Sequence, residues 1–326
     1  MAQVWTGGKL RPEALAVLAG LADVIASRVG ERSEWYAEAA EADAIIVAGG
    51  TQITGAVMDC LGARLRMVAR PGIGVDAIDL EAATQRGILV LNTPDGPTES
   101  TAEHAVALLL NLCKQVSVGD RLMRSGQPGV GPGQVSPGVE VAGIVLGLIG
   151  LGRIGSRVAT IARVLGMQVM AFDPFLAPEK ARELGVELVP SLAELLPRAR
   201  VISLHCPSTP ETYRLLNAEM LSLLPRGSYV VNVSRGALID EAALLDALCS
   251  GHLAGAALDV FDPEPPPASH PLFALPNTIC TPHIGSYTGA SVSRMQVMIC
   301  EQIANVLRGE RPTNLVNPAV WGHHRR

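Results

Sequence analysis

Three glycines, Gly150, Gly152 and Gly155, stand between an apolar, β-prone run, Ile144 to Ile149, and a helical pattern from Ser156 to Leu165. Strand, glycine turn and helix in that order suit the pyrophosphate of a dinucleotide. The first glycine makes the tight turn, the second lets the backbone approach the phosphates, and the third lets helix and strand pack closely. The anion would rest on unpaired N–H groups at the helix start. Glycines also serve ordinary turns, so the spacing alone is a weak signal, and its context strengthens it. The next apolar segment, Gln168 to Phe172, ends at Asp173, about twenty residues past the turn, where an acid binds the ribose hydroxyls of NAD.

Three further polar residues stand just past the carboxyl ends of predicted strands, where open α/β sheets bind ligands. Arg235 follows VVNVS, Glu264 comes shortly after ALDVF, and His283 follows TICTP. An Arg can hold a carboxylate by a bidentate pair, and a His can exchange a proton with a hydroxyl or carbonyl oxygen. A carboxylate such as Glu264 would orient the imidazole and raise its pKa. Singly, each fits a bland role as well: a surface Arg, a loop Glu among prolines, a His at a strand end. Together with a dinucleotide turn, they point to hydride transfer coupled to proton transfer. An earlier turn, Arg70 to Asp76, is rich in glycine and follows a strand without opening a long helix. Backbone N–H groups of Gly72, Ile73 and Gly74 could meet a small anion there, or the segment is a plain tight turn.

The elements that must carry these residues alternate between strand and helix patterns. In the first ninety residues the apolar runs at Val4-Trp5, Asp43 to Ala48, Leu65 to Ala69 and Ile88 to Leu91 read as strands. Helical patterns span Pro12 to Leu21, Thr54 to Leu61 and Leu80 to Arg86. Such alternation means βαβ units and a parallel sheet. A Pro/Gly break at Pro94 to Pro97 precedes a long helix, Thr101 to Val118, for which Ser100 and Glu103 read as a capping box. His104, in its first turns, reads as a structural histidine. Gly126 to Gly138 reads as a surface loop. Beyond Asp173, strands are expected at Val201 to Leu204, Tyr229 to Val233, Gly255 to Val260 and Thr278 to Cys280. Asp240 is a plausible N-cap for a helix over 240–249, and a closing helix spans Ala290 to Leu307.

Composition bounds the rest. The 326 residues suggest about two domains. With 48% hydrophobic and 17% charged residues the chain is globular, and a net charge of −5 without a basic block argues against nucleic acid or an anionic membrane as the main partner. No apolar run reaches the ~20 residues of a membrane span, and the start lacks a secretory pattern, so a cytoplasmic protein is expected. The six cysteines lack ligand spacing and read as reduced thiols; no metal site is expected. His323 to Arg326 reads as a frayed tail.

At these residues the chain resembles the D-isomer-specific 2-hydroxyacid dehydrogenase family over nearly its whole length. The pieces that carry the likeness are PGIGVDAIDLEAATQRGILVLNTP, STAEHAVALLL, LGLIGLGRIG, VVNVSRGALIDEAALLDAL, GAALDVFDPEPP, HPLFALPN and TPHIGS. The resemblance implies an α/β protein of two doubly wound parallel-sheet domains. The NAD-binding Rossmann domain, 99–287, is inserted in a flavodoxin-like substrate domain, 1–98 and 288–326. It implies Arg235, Glu264 and His283 as the catalytic set, with Asp259 near the nicotinamide carboxamide. Cofactor contacts are implied for Arg153, Ile154, Asp173, His205, Pro207, Val233 and Ser234, beside the three glycines, with Gly285 next to the active His. Arg70, Gly72, Ile73, Gly74 and Arg235 stand on the substrate side.

The expected activity is NAD-dependent interconversion of a small D-2-hydroxy acid and its 2-keto acid, in a homodimer paired through the cofactor domain. The active site is expected in a cleft between two lobes that cofactor binding helps to close. Two features depart from relatives that use 3-phosphoglycerate. Where they carry a phosphate-holding Arg this chain has Ala48, and where they carry basic residues it reads GQPGVGPGQ. A phosphoglycerate dehydrogenase, with Arg70 as its single phosphate cation, is therefore the runner-up. An NAD-sensing binding protein of corepressor type is the alternative of another class.

Overall fold

The computed structural model describes residues 1–28, 35–126 and 137–325, and the Gly/Pro-rich loop expected over 126–138 lies almost wholly outside them. The chain separates into two compact units, Met1–Pro97 with Tyr287–Arg326, and Thr98–Ser286.

The first unit is built on five parallel strands: β1 (Ala2–Thr6), β2 (Ala22–Ala26), β3 (Ala44–Ile46), β4 (Met67–Arg70) and β5 (Leu89–Asn92), in the spatial order β2-β1-β3-β4-β5. That is a doubly wound order, so both faces of the sheet are covered and its inner strands read as continuous apolar runs. Successive residues serve opposite faces: Val4, Ala44, Met67 and Leu89 pack with Ile299 and Ile303 of the helix Gly289–Leu307. Trp5, Ile45, Val68 and Val90 pack with Met58, Leu61 and Trp35 on the other side.

The second unit has seven parallel strands: β6 (Val145–Ile149), β7 (Gln168–Phe172), β8 (Glu187–Leu188), β9 (Val201–Leu204), β10 (Ser228–Asn232), β11 (Leu253–Leu258) and β12 (Thr278–Cys280). Their order is β12-β11-β10-β9-β6-β7-β8, so the winding reverses between β6 and β9. A doubly wound sheet opens a crevice at that reversal, outside the carboxyl ends of its strands. The apolar clusters on its two faces, one around Leu146 and Val231 and one around Ile202 and Leu258, hold those ends in place.

Several local expectations change. The expected Thr101 to Val118 helix starts at Thr98 and ends at Lys114. Gln115 then turns left-handed, φ 57°, and a separate helix, Val116–Arg124, follows. The break is set by Asn111, whose side chain accepts from the Ser117 amide at 2.8 Å and donates to its hydroxyl at 2.7 Å. Ser100 lies inside the helix, so it caps nothing; its hydroxyl donates to the Gly285 carbonyl at 2.8 Å. Asp240 is the expected N-cap, accepting from Ala242 and Ala243. As far as Arg325 the tail is docked, not frayed: Arg325 donates to the carbonyls of Gly62, Ala63, Leu65 and Arg86, and Arg326 lies outside the described residues. Among the described residues no helix is long and apolar enough to cross a membrane, and no group of three or more His, Cys, Asp or Glu could hold a metal ion.

Candidate active site

In the second unit, β6 runs straight into the glycine turn, and each glycine answers to a different constraint. Gly150 adopts φ +94°, and a Cβ there would lie 2.9 Å from the His205 carbonyl carbon. A Cβ on Gly155 would come 2.3 Å from the Gly150 oxygen, so the third glycine is what brings helix Arg153–Val164 against the strand end. A Cβ on Gly152 would meet no heavy atom within 4 Å. Protein packing therefore does not explain its glycine, whereas a phosphate approaching the backbone does. As the helix N-cap it brings no capping side chain, which leaves the helix start open to an anion. Asp173, at the end of β7, accepts from the Leu151 amide at 2.8 Å and from the Phe175 amide at 3.0 Å. A carboxylate has about four lone-pair sites, so it can hold the turn and still accept from ribose hydroxyls. These residues fit NAD.

The other expected cofactor residues lie at neighbouring strand ends. His205 and Pro207 follow β9, Val233 and Ser234 follow β10, and Asp259 follows β11. Burial pushes the His205 imidazole down to about 4, so it is neutral near pH 7; its Nε2 lies 2.9 Å from the Ser203 hydroxyl. Ser234 Oγ donates to the Cys206 carbonyl.

Arg235, Glu264 and His283 come from the loops after β10, β11 and β12. Asn232 fixes both sides of the Arg235 turn: its Oδ1 accepts from the Ser234 amide at 3.0 Å and its Nδ2 donates to the Arg235 carbonyl at 2.8 Å. His283 Nδ1 lies 2.5 Å from Glu264 Oε1. The hydrogen bond to Glu264 raises the imidazole pKa above its ordinary value; burial and the Arg235 charge oppose it, and the charges of Glu264 and Asp259 add to it. With Nδ1 held, Nε2 is the nitrogen left for proton exchange.

Asp259 is 1% exposed and organises the His283 loop. Its carboxylate accepts from the amides of Ile284 and Gly285 at 2.9 and 2.8 Å and from the Thr281 hydroxyl at 2.6 Å, while its carbonyl takes the His283 amide at 2.8 Å. Burial acts to raise this carboxyl, but donors from His104, Thr281, Ile284 and Gly285 hold it below its ordinary value. His104 Nε2 stands 3.2 Å from Thr281 Oγ1 and 3.4 Å from Asp259. Sequence reasoning missed Asn232, Thr281 and this use of His104. Asn232 carries a legible signal, an Asn two residues before Ser234 that suits an Asx-turn; the other two depend on elements far apart in sequence.

In the first unit the turn after β4 changes two expectations. The Gly72 amide is taken by the Thr93 hydroxyl at 2.7 Å, so it is not available to a substrate. The amides of Ile73 and Gly74 donate to nothing among the described residues, and the Ile73 carbonyl is tied to the Asn92 side chain. Arg70 is 2% exposed, and its guanidinium donates to the carbonyls of Gly49 and Thr51. Those two bonds tie it to the loop after β3.

Residues 106–285 match the model of the D-isomer-specific 2-hydroxyacid dehydrogenase NAD-binding domain. The chain is 37% identical to D-3-phosphoglycerate dehydrogenase of Methanocaldococcus jannaschii over 97% of its own length, which spans 60% of that protein. It is 43% identical to glyoxylate reductase of Korarchaeum cryptofilum over 79% of its length and 77% of the relative. The crystal structure of the TT0316 protein from Thermus thermophilus superposes with a TM-score of 0.87 at 40% identity, covering 96% of this chain and 99% of that one.

Proposed function

The chain belongs to the D-isomer-specific 2-hydroxyacid dehydrogenase family, and from that premise we propose that it interconverts a small D-2-hydroxy acid and its 2-keto acid with NAD as the hydride carrier. The observation that carries this reading is the His283–Glu264 contact beside the Arg235 turn that Asn232 fixes. Bound on the glycine turn and Asp173, the nicotinamide cofactor supplies or accepts the hydride. Arg235 holds the substrate carboxylate by charge-assisted hydrogen bonds. In reduction His283 gives the Nε2 proton to the forming alkoxide; in oxidation the neutral ring takes it back. Glu264 holds the ring and stabilises its protonated form. Asp259 aims the loop through the amides of Ile284 and Gly285.

Two observations favour a non-phosphorylated acid over 3-phosphoglycerate. Ala48 supplies no cation, and Arg70 is buried against the carbonyls of Gly49 and Thr51. The amides of Ile73 and Gly74 can hold one carboxylate, which every substrate of this type already carries. Charge-assisted hydrogen bonds are each worth roughly 1.5 to 3 kcal/mol, so lacking two costs about two to four powers of ten in kcat/KM. The test is a panel of 2-keto acids with NADH, read by absorbance at one pH and salt concentration. Glyoxylate or hydroxypyruvate should exceed 3-phosphohydroxypyruvate, and a preference of about a hundredfold for the phosphorylated compound would assign the chain to the runner-up activity.

The same reading makes the protein a homodimer paired through the second unit. The helix Val116–Arg124 buries none of its residues, exposing Val116 (60%) and Met123 (65%), and borders a groove of about 630 Å³ lined by Gln115, Arg121, Tyr229 and Pro276. A second copy of this chain would cover both. The six free cysteines, two of them exposed, support a reducing, cytoplasmic setting.

A further inference from the structure

Glu264 stands on an excursion from Asp262 to His270 that forms neither helix nor strand. Pro263, Pro265, Pro266 and Pro267 donate no backbone hydrogen bond, so the excursion cannot hold itself by a backbone ladder. Both of its ends instead reach one carboxylate. The Asp262 amide donates to Glu241 Oε1 at 3.3 Å, and His270 Nε2 lies 2.9 Å from Glu241 Oε2. His270 is 8% exposed, with its ring centroid 5.5 Å from that of Phe261 and 5.2 Å from that of Phe273. The segment that supplies Glu241 also carries Arg235. Between them a Cβ on Gly236 would lie 2.0 Å from the Phe261 carbonyl carbon, so this segment is packed backbone to backbone on the start of the excursion. Asp240 caps the helix that begins at Glu241, which frees the Glu241 side chain for the excursion.

We propose that Glu241 and His270 are positioning residues for the acid–base pair: their contact closes the excursion at both ends and so fixes where Glu264 meets His283. This rests on the assignment of Glu264 and His283 as that pair. The physical basis is the steep distance dependence of a hydrogen bond, since an excursion released at one end samples many arrangements and few keep the Glu264–His283 contact. The groups facing His283 are Glu264, Asp259 and Arg235. Among the described residues His270 contacts Glu241, and the Glu241 charge also acts on Cys280. A change in His283 titration after substitution at 241 or 270 therefore reports on where Glu264 sits.

The test follows the His283 imidazole by NMR against pH in the whole protein, with Glu264→Gln, Glu241→Ala, Glu241→Gln and His270→Phe beside the wild type. The last keeps an aromatic ring between Phe261 and Phe273 and removes the partner of Glu241, so it stands in if Glu241→Ala folds poorly. Glu264→Gln should lower the His283 midpoint, and Glu241→Ala and His270→Phe should lower it by about half a pH unit or more. Glu241→Gln, which keeps an acceptor for Asp262, should stay near the wild type. The alkaline limb of kcat/KM for keto-acid reduction should move by the same amounts, with KM for NADH unchanged. If Glu264→Gln lowers the midpoint while Glu241→Ala and His270→Phe leave it in place, the positioning role is overturned and the acid–base pair stands. If Glu264→Gln leaves it in place, the pair itself is wrong and this inference goes with it.

Discussion

His283 adopts φ 54°, a left-handed backbone that His visits more readily than most residues, and its own amide donates to the carbonyls of Asp259 and Thr281. Its backbone is thus set by the folded chain before any substrate binds, which suits the proton donor we propose it to be. We expect His283→Ala and Arg235→Ala each to lower kcat/KM by at least about a hundredfold, since proton transfer and carboxylate positioning are each worth that much. Unchanged NADH oxidation in the His283 variant would remove it from the mechanism. Glu264→Gln should cost less and shift the pH profile. Because Glu264 raises the His283 pKa, the protonated acid survives to higher pH in the wild type. Reduction falls as pH rises through that raised value, so its alkaline limb should lie above that of the variant. We expect Asp173 to act by charge as well. It should repel a 2′-phosphate, and kcat/KM with NADH should exceed that with NADPH; parity would overturn this. Asp173→Ala should narrow the gap, and because Asp173 also holds the Leu151 amide, it should raise KM for NADH. The sequence placed Arg235, Glu264 and His283 past strand ends because open α/β sheets bind ligands there, and the structure brings Glu264 and His283 into contact. The sequence could not show the second task of Asp173, nor that Arg70 is turned to Gly49 and Thr51, because those partners are set by tertiary packing.

At the level of elements, periodicity identified the inner strands of both sheets, which are apolar on both faces. What it missed lies at edges and ends. The edge strand β2, Ala22–Ala26, begins close after the helix Pro12–Leu18 and has a single buried residue, so no apolar run announces it. The two-residue β8 is too short for any period to register. Ser100 carried a cap signature, yet the helix starts earlier and the hydroxyl is used by Gly285, a partner 185 positions away. The glycine turn gives a sharper test, because its second and third glycines are constrained by different things. Gly155→Ala places a methyl 2.3 Å from the Gly150 oxygen, an overpacking that should cost about 1 to 3 kcal/mol and lower the unfolding midpoint by several degrees. Gly152→Ala meets nothing within 4 Å, so the midpoint should hold while KM for NADH rises at least severalfold. Equal effects of the two substitutions on stability, or an unaltered KM for NADH in Gly152→Ala, would count against phosphate binding at this turn.

For the molecule as a whole, each unit carries the strand order of a doubly wound sheet, and the surface of the second has a feature the monomer does not account for. A nine-residue helix is marginal in water on its own and takes its stability from packing an apolar face. Val116–Arg124 has no buried residue, and its Val116 and Met123 are among the most exposed large apolar side chains of the chain. Two hydrogen bonds tie it to its own chain: Asn111 holds Ser117 at its start, and Arg121 donates to the Pro276 carbonyl at 2.8 Å. That combination suits a surface covered by a second copy, since interfaces between copies bury apolar side chains with a polar rim. The wild type should therefore run as a dimer by light scattering at micromolar concentration. Introducing a charge into the middle of such a surface costs several kcal/mol in each copy, so Met123→Glu with Val116→Glu should shift the population towards monomer. The fold of each copy should survive, because neither residue contributes to the buried core. A wild type that is monomeric at that concentration, or a double variant that stays dimeric, would show that this helix is not where the copies meet.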